Sequence, residues 1–213
     1  MGKLRFRIAM SLDGYTAGPE QSVKNPLGIG GTRLHDWALP LAAWREPHGL
    51  KGGTFDESTP VFEELLANVG ATIMGRNMFG GHPGPWNGTK PWNGWWGHNP
   101  PFHHPVFVLT HHARAPLALE GRTTFTFVTD GIAKAYELAR KAAAEKDVAL
   151  AGGANIARQY LGAGLVDEML IHLAPTILGG GERLFEGVQD LSGLELVRTV
   201  AAPNVTHLKF ARR

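Results

Sequence analysis

The segment Val148-Ala149-Leu150-Ala151-Gly152-Gly153-Ala154-Asn155-Ile156 restricts the fold more than any other stretch of the chain. Four apolar residues that stop at Gly-Gly read as a buried strand with an abrupt end. Ile156 and Tyr160 then stand one helical turn apart, and Gly162 or Gly164 can close the helix they begin. The junction leaves backbone N–H groups unpaired at the positive end of a helix dipole, and glycine lets an anion such as phosphate approach the backbone. Glycine also serves such turns for steric reasons alone. The spacing is not G-x-G-x-x-G, and no acidic residue sits at a clear strand end about twenty residues on to hold a ribose, which disfavours a standard Rossmann site.

The rest of the chain repeats the alternation of strand and helix. Leu4, Phe6, Ile8 and Met10 alternate with Lys3, Arg5, Arg7 and Ala9, the period of a half-buried strand, and Ser11-Leu12-Asp13-Gly14 turns the chain. Residues 18–57 form a long Gly/Pro-rich connection with a short helix around Leu34 to Arg45; ordered connections of that length serve as lids or binding loops. Thr59-Pro60 starts a helix with Val61, Phe62, Leu65, Leu66 and Val69 on one face, Gly70 closes it, and Ala71-Thr72-Ile73-Met74 is a buried strand ending at Gly75-Arg76. A Trp-rich insert occupies 79–105. Strands follow at Pro105 to Thr110 and Phe125 to Thr129, and Asp130 caps a helix whose apolar stripe is Ile132, Tyr136, Ala139 and Ala143. After the Gly152-Gly153 unit come a strand from Val166 to Ala174, a Gly179-Gly180-Gly181 loop, and an antiparallel pair, Leu194 to Val200 and Val205 to Phe210, around Pro203-Asn204. This is an α/β chain with a mixed sheet, read as one domain over 1–213.

Composition removes several function classes. Hydrophobic residues at 43% and charged residues at 19% suit a globular core rather than disorder. The net charge is only +2 and no Lys/Arg run tracks a phosphate backbone, so nucleic acid is not the expected partner. With no cysteine there is no disulfide framework, Cys-ligated zinc or thiol chemistry. The start of the chain, Met1-Gly2-Lys3-Leu4-Arg5-Phe6, reads as neither a secretory signal nor a spanning helix, so no membrane role is expected and the cytoplasm is the default compartment.

Several pieces fall in order at expected strand ends: Ser11-Leu12-Asp13-Gly14-Tyr15-Thr16-Ala17-Gly18, Ile73-Met74-Gly75-Arg76-Asn77-Met78-Phe79, Val108-Leu109-Thr110, Gly152-Gly153 before a helix, and Ala174-Pro175 with Gly179-Gly180-Gly181 and Leu184-Phe185. The series resembles the reductase domain of the bifunctional riboflavin-biosynthesis deaminase-reductases, and more closely the stand-alone, dihydrofolate-reductase-like members of that group. The resemblance implies a three-layer α/β/α sandwich with a dihydrofolate-reductase-like mixed sheet and a C-terminal antiparallel hairpin, binding NADPH along the strand C-termini. It implies that Gly152, Gly153, Ala154, Asn155 and Ile156 cradle the pyrophosphate and that Gly75 and Arg76 meet a phosphate. Thr110, His111 and His112 correspond to the loop near the adenosine 2′-phosphate, and Ala17 and Gly18 approach the nicotinamide. Histidines there are weaker phosphate partners than arginine or lysine, which leaves NADPH against NADH open.

The activity implied is hydride transfer from NADPH to a small planar heterocycle, a pterin such as dihydrofolate or an aminopyrimidine, by a homodimer. Asp13, Tyr15, a histidine or water can supply the accompanying proton; Asp13 is the catalytic candidate, with an Asx-turn as its other role. Tyr15, Trp86 and Trp92 are substrate candidates, the tryptophans serving equally well as packing at an interface. His98, His103, His104, His111 and His112 lack the rigid spacing of metal ligands, so no metal is expected. Competing readings are a nucleotide-binding protein without catalysis, a metal-dependent hydrolase using the histidines, and a flavin or deazaflavin reductase.

Overall fold

The computed structural model describes residues 2–86, 92–191 and 193–212. Residues 87–91, the middle of the Trp-rich insert, lie outside the described residues. The strands are β1 (Leu4–Ser11), β2 (Tyr15–Ala17), β3 (Val69–Gly75), β4 (Pro105–Leu109), β5 (Leu117–Ala118), β6 (Thr124–Val128), β7 (Asp147–Gly152), β8 (Glu168–Ala174), β9 (Glu182–Arg183), β10 (Leu194–Ala202) and β11 (Val205–Arg212). The helices are α1 (Ala42–Arg45), α2 (Ser58–Leu66), α3 (Arg76–Phe79), α4 (Gly131–Ala143) and α5 (Ala154–Gly162).

Nine strands form one sheet in the order β10-β11-β8-β1-β7-β3-β4-β6-β5, while β2 and β9 pair separately. From β8 to β6 the pairing is parallel, and β11, β10 and β5 run antiparallel at the two ends. The chain lays down β3, β4 and β6 outward from β1. It returns through α4 to place β7 beside β1, then passes through α5 to β8 on the other side of β1. The C-terminal ends of β1 and β7 therefore lie at a reversal of strand order, where open α/β sheets collect ligands.

Strand alternation sorts the side chains onto two faces. Leu4, Phe6, Ile73, Val148, Leu150 and Ile171 form the larger core under α4 and α5. The opposite face is covered in two parts. Val61 and Leu65 of α2 pack on Leu170, and Phe79 with Trp86, Trp92 and Trp96 packs on Val106, Val108, Phe125 and Phe127. This gives the helix–sheet–helix layering, with part of the second outer layer made from irregular chain.

Several local expectations shift. The helix expected from Thr59 begins at Ser58, because Asp56 Oδ1 accepts from Ser58 N (2.7 Å) and the Asp56 carbonyl accepts from Thr59 N (3.0 Å). Leu66 is 48% exposed and Val69 already belongs to β3, so the buried face of α2 is narrower than its apolar pattern. In α4 the inward line is Ala135, Ala139 and Ala143, with Ile132 and Tyr136 only half-buried, and Asp130 makes no side-chain cap bond. The helix expected around Leu34 to Arg45 is split between a 3-10 turn at Gly31–His35 and α1.

Candidate functional site

Two strand ends and a helix start meet where β3, β7 and α5 adjoin. Gly152 has φ +110°, a backbone state that L side chains rarely adopt, and the peptide bond from Gly152 to Gly153 is cis. A Cβ placed on Gly75 would lie 3.6 Å from Gly153 N and 3.3 Å from Ile156 Cγ2, so the end of β3 runs directly against the start of α5. A Cβ on Gly153 would meet nothing within 4 Å. The backbone is therefore open on the side of the first turn of α5. No side chain caps that helix, and the amides of Ala154, Asn155 and Ile156 belong to its first turn. An anion placed there meets free N–H donors and the positive end of the dipole.

The neighbouring wall carries positive charge. Arg76, first residue of α3, folds back so that its guanidinium donates to the carbonyls of Gly80 and His82, while its Nε is buried with no hydrogen-bond partner. The same guanidinium lies 3.5 Å from the Trp86 ring centroid. Arg114 lies 4.9 Å from that ring and 4.9 Å from the Phe127 ring, and it donates to the Trp92 carbonyl (2.5 Å) and Asn93 Oδ1 (2.7 Å). All these partners are neutral, and neither arginine has an ion pair among the described residues. Burial lowers the pKa of both, and Arg114 lowers that of Arg76 further. Two like charges gathered around one indole are relieved by an anion.

The loop after β4 closes this wall. Thr110 is buried; its amide donates to the Val128 carbonyl (3.0 Å) and its hydroxyl accepts from His112 N (3.2 Å). Trp86 Nε1 donates to the His112 carbonyl (2.8 Å), which ties the insert to the loop, and His111 is exposed. Trp92 donates to the Phe79 carbonyl (2.8 Å) and meets Trp95 edge to face. Trp86 and Trp92 thus pack within the wall that carries Arg76 and Arg114. Arg114 was missed by sequence reasoning, although it stands only two residues beyond His112.

The segment after β1 is held differently. Asp13 accepts from Ser11 Oγ (2.5 Å) and Leu178 N (3.2 Å) through Oδ1, and from Gly179 N (2.7 Å) through Oδ2. The Ser11 hydroxyl, first, and these two amides hold the carboxyl down at about 2. Tyr15 turns its hydroxyl to Arg183 Nε (3.1 Å), across the β2–β9 pair. Gly18 lies where two backbones cross, since a Cβ there would stand 1.9 Å from the Ile29 carbonyl oxygen, and Gly181 crowds the Ala17 carbonyl in the same way at 2.0 Å. Ala17 and Gly18 are therefore fixed by the 18–57 connection and the Gly179–Gly181 loop together. His103 and His104 have separate partners, the first bonded to the Gly121 carbonyl (3.0 Å) and the second to Thr72 Oγ1 (2.7 Å). Among the described residues no three His, Asp or Glu side chains gather to hold a metal ion, and no helix is long and apolar enough to cross a membrane.

A recess of about 410 Å³ lies at the opposite, N-terminal edge of the sheet, lined by Lys3, Arg5 and Lys209 together with Glu64, Glu145, Asp147 and Glu168. Its charges already pair with one another, as Lys3 with Glu168 and Lys209 with Glu64 do. Arg76 and Arg114, with no ion pair among the described residues, stand at the C-terminal edge instead.

The model of the RibD C-terminal domain matches residues 2–208. The chain belongs to that family. Among curated proteins it is 34% identical over 73 residues to the uncharacterized protein YyaP of Bacillus subtilis, a match covering 34% of this chain and 38% of that one. Among solved structures it resembles a putative riboflavin biosynthesis protein from Shewanella sp. PV-4 at TM-score 0.61 and 20% identity, over 99% of both chains. It also resembles RibD of Acinetobacter baumannii, with TM-score 0.57, 18% identity, all of this chain and 58% of that one. Dihydrofolate reductase of Enterococcus faecalis, solved in complex with NADP(H), matches at TM-score 0.50 and 14% identity over 100% and 97% of the chains. At these identities the structural likeness establishes a shared fold, the dihydrofolate-reductase-like mixed sheet.

Proposed function

We propose that the chain is an NADPH-dependent reductase that passes a hydride to a small planar heterocycle. The observation that carries this is the junction of two anion-binding features at one sheet edge: the open Gly152-Gly153 turn leading into α5, and the uncompensated Arg76 and Arg114 on either side of Trp86. One suits a pyrophosphate and the other a second phosphate group. The membership of the family and the fold shared with an NADP(H)-complexed dihydrofolate reductase support the same assignment.

When bound, the dinucleotide supplies the hydride. Gly152, Gly153 and the amides of Ala154, Asn155 and Ile156 hold the pyrophosphate, with Gly75 keeping the wall of the cleft thin. Arg76 and Arg114, with Thr110, His111 and His112, receive the adenosine 2′-phosphate. In this reading Arg114 adds to the two histidines a fork-shaped donor, which supports NADPH over NADH. Ala17 and Gly18 shape the nicotinamide end. The Asp13 carboxyl, held at about 2, carries no proton near neutrality, so the proton that follows the hydride comes from water in this reading. A homodimer belongs to the proposal as well: the outer edge of β10 bears exposed Leu196 and Val197, and unpaired edges of this kind are usually covered.

Titration with NADPH and NADH, read by calorimetry and by thermal shift, tests the assignment. Tight binding stabilises the native state by mass action. NADPH is expected to bind about tenfold or more tighter than NADH, and Arg114→Gln to remove most of that difference. Failure of both cofactors to bind the folded protein overturns the reading. Binding without oxidation by any pterin, aminopyrimidine or quinone would make it a nucleotide-binding protein instead.

A further inference from the structure

The two arginines beside Trp86 stand in a stretch of chain that contains no acid. Between Glu64 and Glu120 the sequence holds no Asp or Glu, and this stretch includes β3, α3, the whole Trp-rich insert, β4 and the loop after it. The chain carries 19 acids in 213 residues, so an even spread would place several here. The oxygens that hold the two guanidiniums reflect that bias. Arg76 donates to the carbonyls of Gly80 and His82, and Arg114 to the Trp92 carbonyl and to Asn93 Oδ1. All four acceptors lie in the insert and all are uncharged. A carbonyl or amide oxygen fixes the direction of a guanidinium and leaves its charge in place, whereas a carboxylate would fix it and cancel it.

Trp86 is the contact that the two cations share. Its ring centroid lies 3.5 Å from Arg76 Cζ and 4.9 Å from Arg114 Cζ. The ring is itself well fixed. Phe127 meets it edge to face at 4.9 Å and Phe79 at 5.8 Å, and its N–H bonds to the His112 carbonyl (2.8 Å). An aromatic ring attracts a guanidinium through its quadrupole and carries no net charge of its own. It can therefore hold a cation without neutralising it. Two cations against one neutral ring repel each other, and an anion relieves that repulsion.

We propose that Trp86 is a positioning residue for cofactor choice: it keeps Arg76 and Arg114 together with their charges uncancelled, so that the pair answers a phosphate monoester and not a ribose hydroxyl. The proposal rests on the NADPH reading above. A phosphate monoester is close to dianionic near neutrality and offers three acceptor oxygens to two planar forks. A free 2′-hydroxyl brings no charge to relieve the two cations. Discrimination between NADPH and NADH then depends on the acid-free insert around Trp86 as well as on the arginines themselves.

The readout is the ratio of the NADH to the NADPH dissociation constant, measured by calorimetry on the wild type and three variants. Trp86→Leu removes the ring and should cut that ratio about tenfold. Trp86→Phe keeps an aromatic face, though not the N–H to His112, and should retain most of it. Asn93→Asp exchanges the amide oxygen 2.7 Å from Arg114 Nη2 for a carboxylate, and should also cut the ratio about tenfold. A merely structural Trp86 would weaken both cofactors alike and leave the ratio where it was. An unchanged ratio in Trp86→Leu or in Asn93→Asp overturns the proposal, and so does a ratio in Trp86→Phe as low as that in Trp86→Leu. Should Trp86→Leu fail to fold, the other two variants decide. A ratio retained in Trp86→Phe and collapsed in Asn93→Asp supports the proposal, and any other pattern overturns it. Wild-type protein that binds neither cofactor, or both equally, refutes the NADPH reading itself.

Discussion

Asp13 illustrates how the fold's own donors can occupy both oxygens of a carboxylate. Ser11 Oγ and the amides of Leu178 and Gly179 bind both oxygens, tying the turn after β1 to the Gly179–Gly181 loop. Its folded pKa of about 2 lies below the roughly 3.9 of an unfolded chain. The stability it contributes is therefore complete above about pH 4 and is lost as the pH falls toward 2. Asp13→Asn should lower the melting temperature at pH 7, and the gap to the wild type should close by about pH 2 in parallel thermal melts. Gly153 is the reverse case, a position defined by open space. Its extended backbone accepts any side chain, so Gly153→Asp should fold normally yet put a carboxylate on the anion path. NADPH affinity is expected to fall about tenfold or more; unchanged affinity in the folded variant would remove the pyrophosphate from this turn. The Gly152-Gly153 junction was legible from sequence because an apolar run that stops at two glycines and restarts with helical spacing marks a strand end and a helix start. The half-buried setting of Arg7 was not. Alternation shows that a strand has two faces, but only the pairing of β1 between β7 and β8 shows that its charged face lies inside the molecule.

At the scale of elements, the strands were easier to read than the helices. Most strand bounds fall within two residues of the apolar runs, since each is stopped by glycine, proline or a charged turn. The short β5, β2 and β9 escaped because two or three residues carry no period. In α4 the expected stripe does face the core, with Ile132 and Tyr136 half-buried against it, and the line nearest the sheet is all alanine. The reason is proximity. A Cβ on Gly70 at the start of β3 would lie 2.8 Å from Ala143 Cα, so there is no depth for larger side chains at the end of α4. Ala139→Leu should therefore destabilise the protein by about 1–3 kcal/mol through overpacking, measured by denaturant unfolding with an unchanged slope. The Trp-rich insert reads in the sequence as a binding or interface element, and the structure adds internal bonds that hold it to the sheet edge. Its indole N–H groups bond to the carbonyls of Phe79, Met78 and His112, and the Trp86 ring lies against two arginines at the C-terminal edge of the sheet.

For the whole molecule, the placement of its neutral histidines sets a pH limit. His104, His172 and His207 all lie on the α2 side of the sheet and are held below the usual imidazole range, chiefly by burial, with His104 and His207 at about 4. An unfolded chain takes up these protons near pH 6.5, whereas the folded one resists them. Below about pH 6.5 the unfolded state therefore binds more protons, and stability falls with pH until about 4, where the folded histidines begin to titrate. The order of strands could not be read from sequence, because hydrophobic period does not say which strand lies beside which. Yet that order brings His172 of β8 against His207 of β11 and makes the two a coupled pair. The wild type should lose stability steadily between pH 7 and 4.5 in urea titrations, with a constant slope in denaturant at each pH. His104→Gln, which can keep the bond to Thr72, should make that decline shallower by removing one of the titrating groups. A decline of the same steepness in this variant would mean that His104 is not held neutral by the fold.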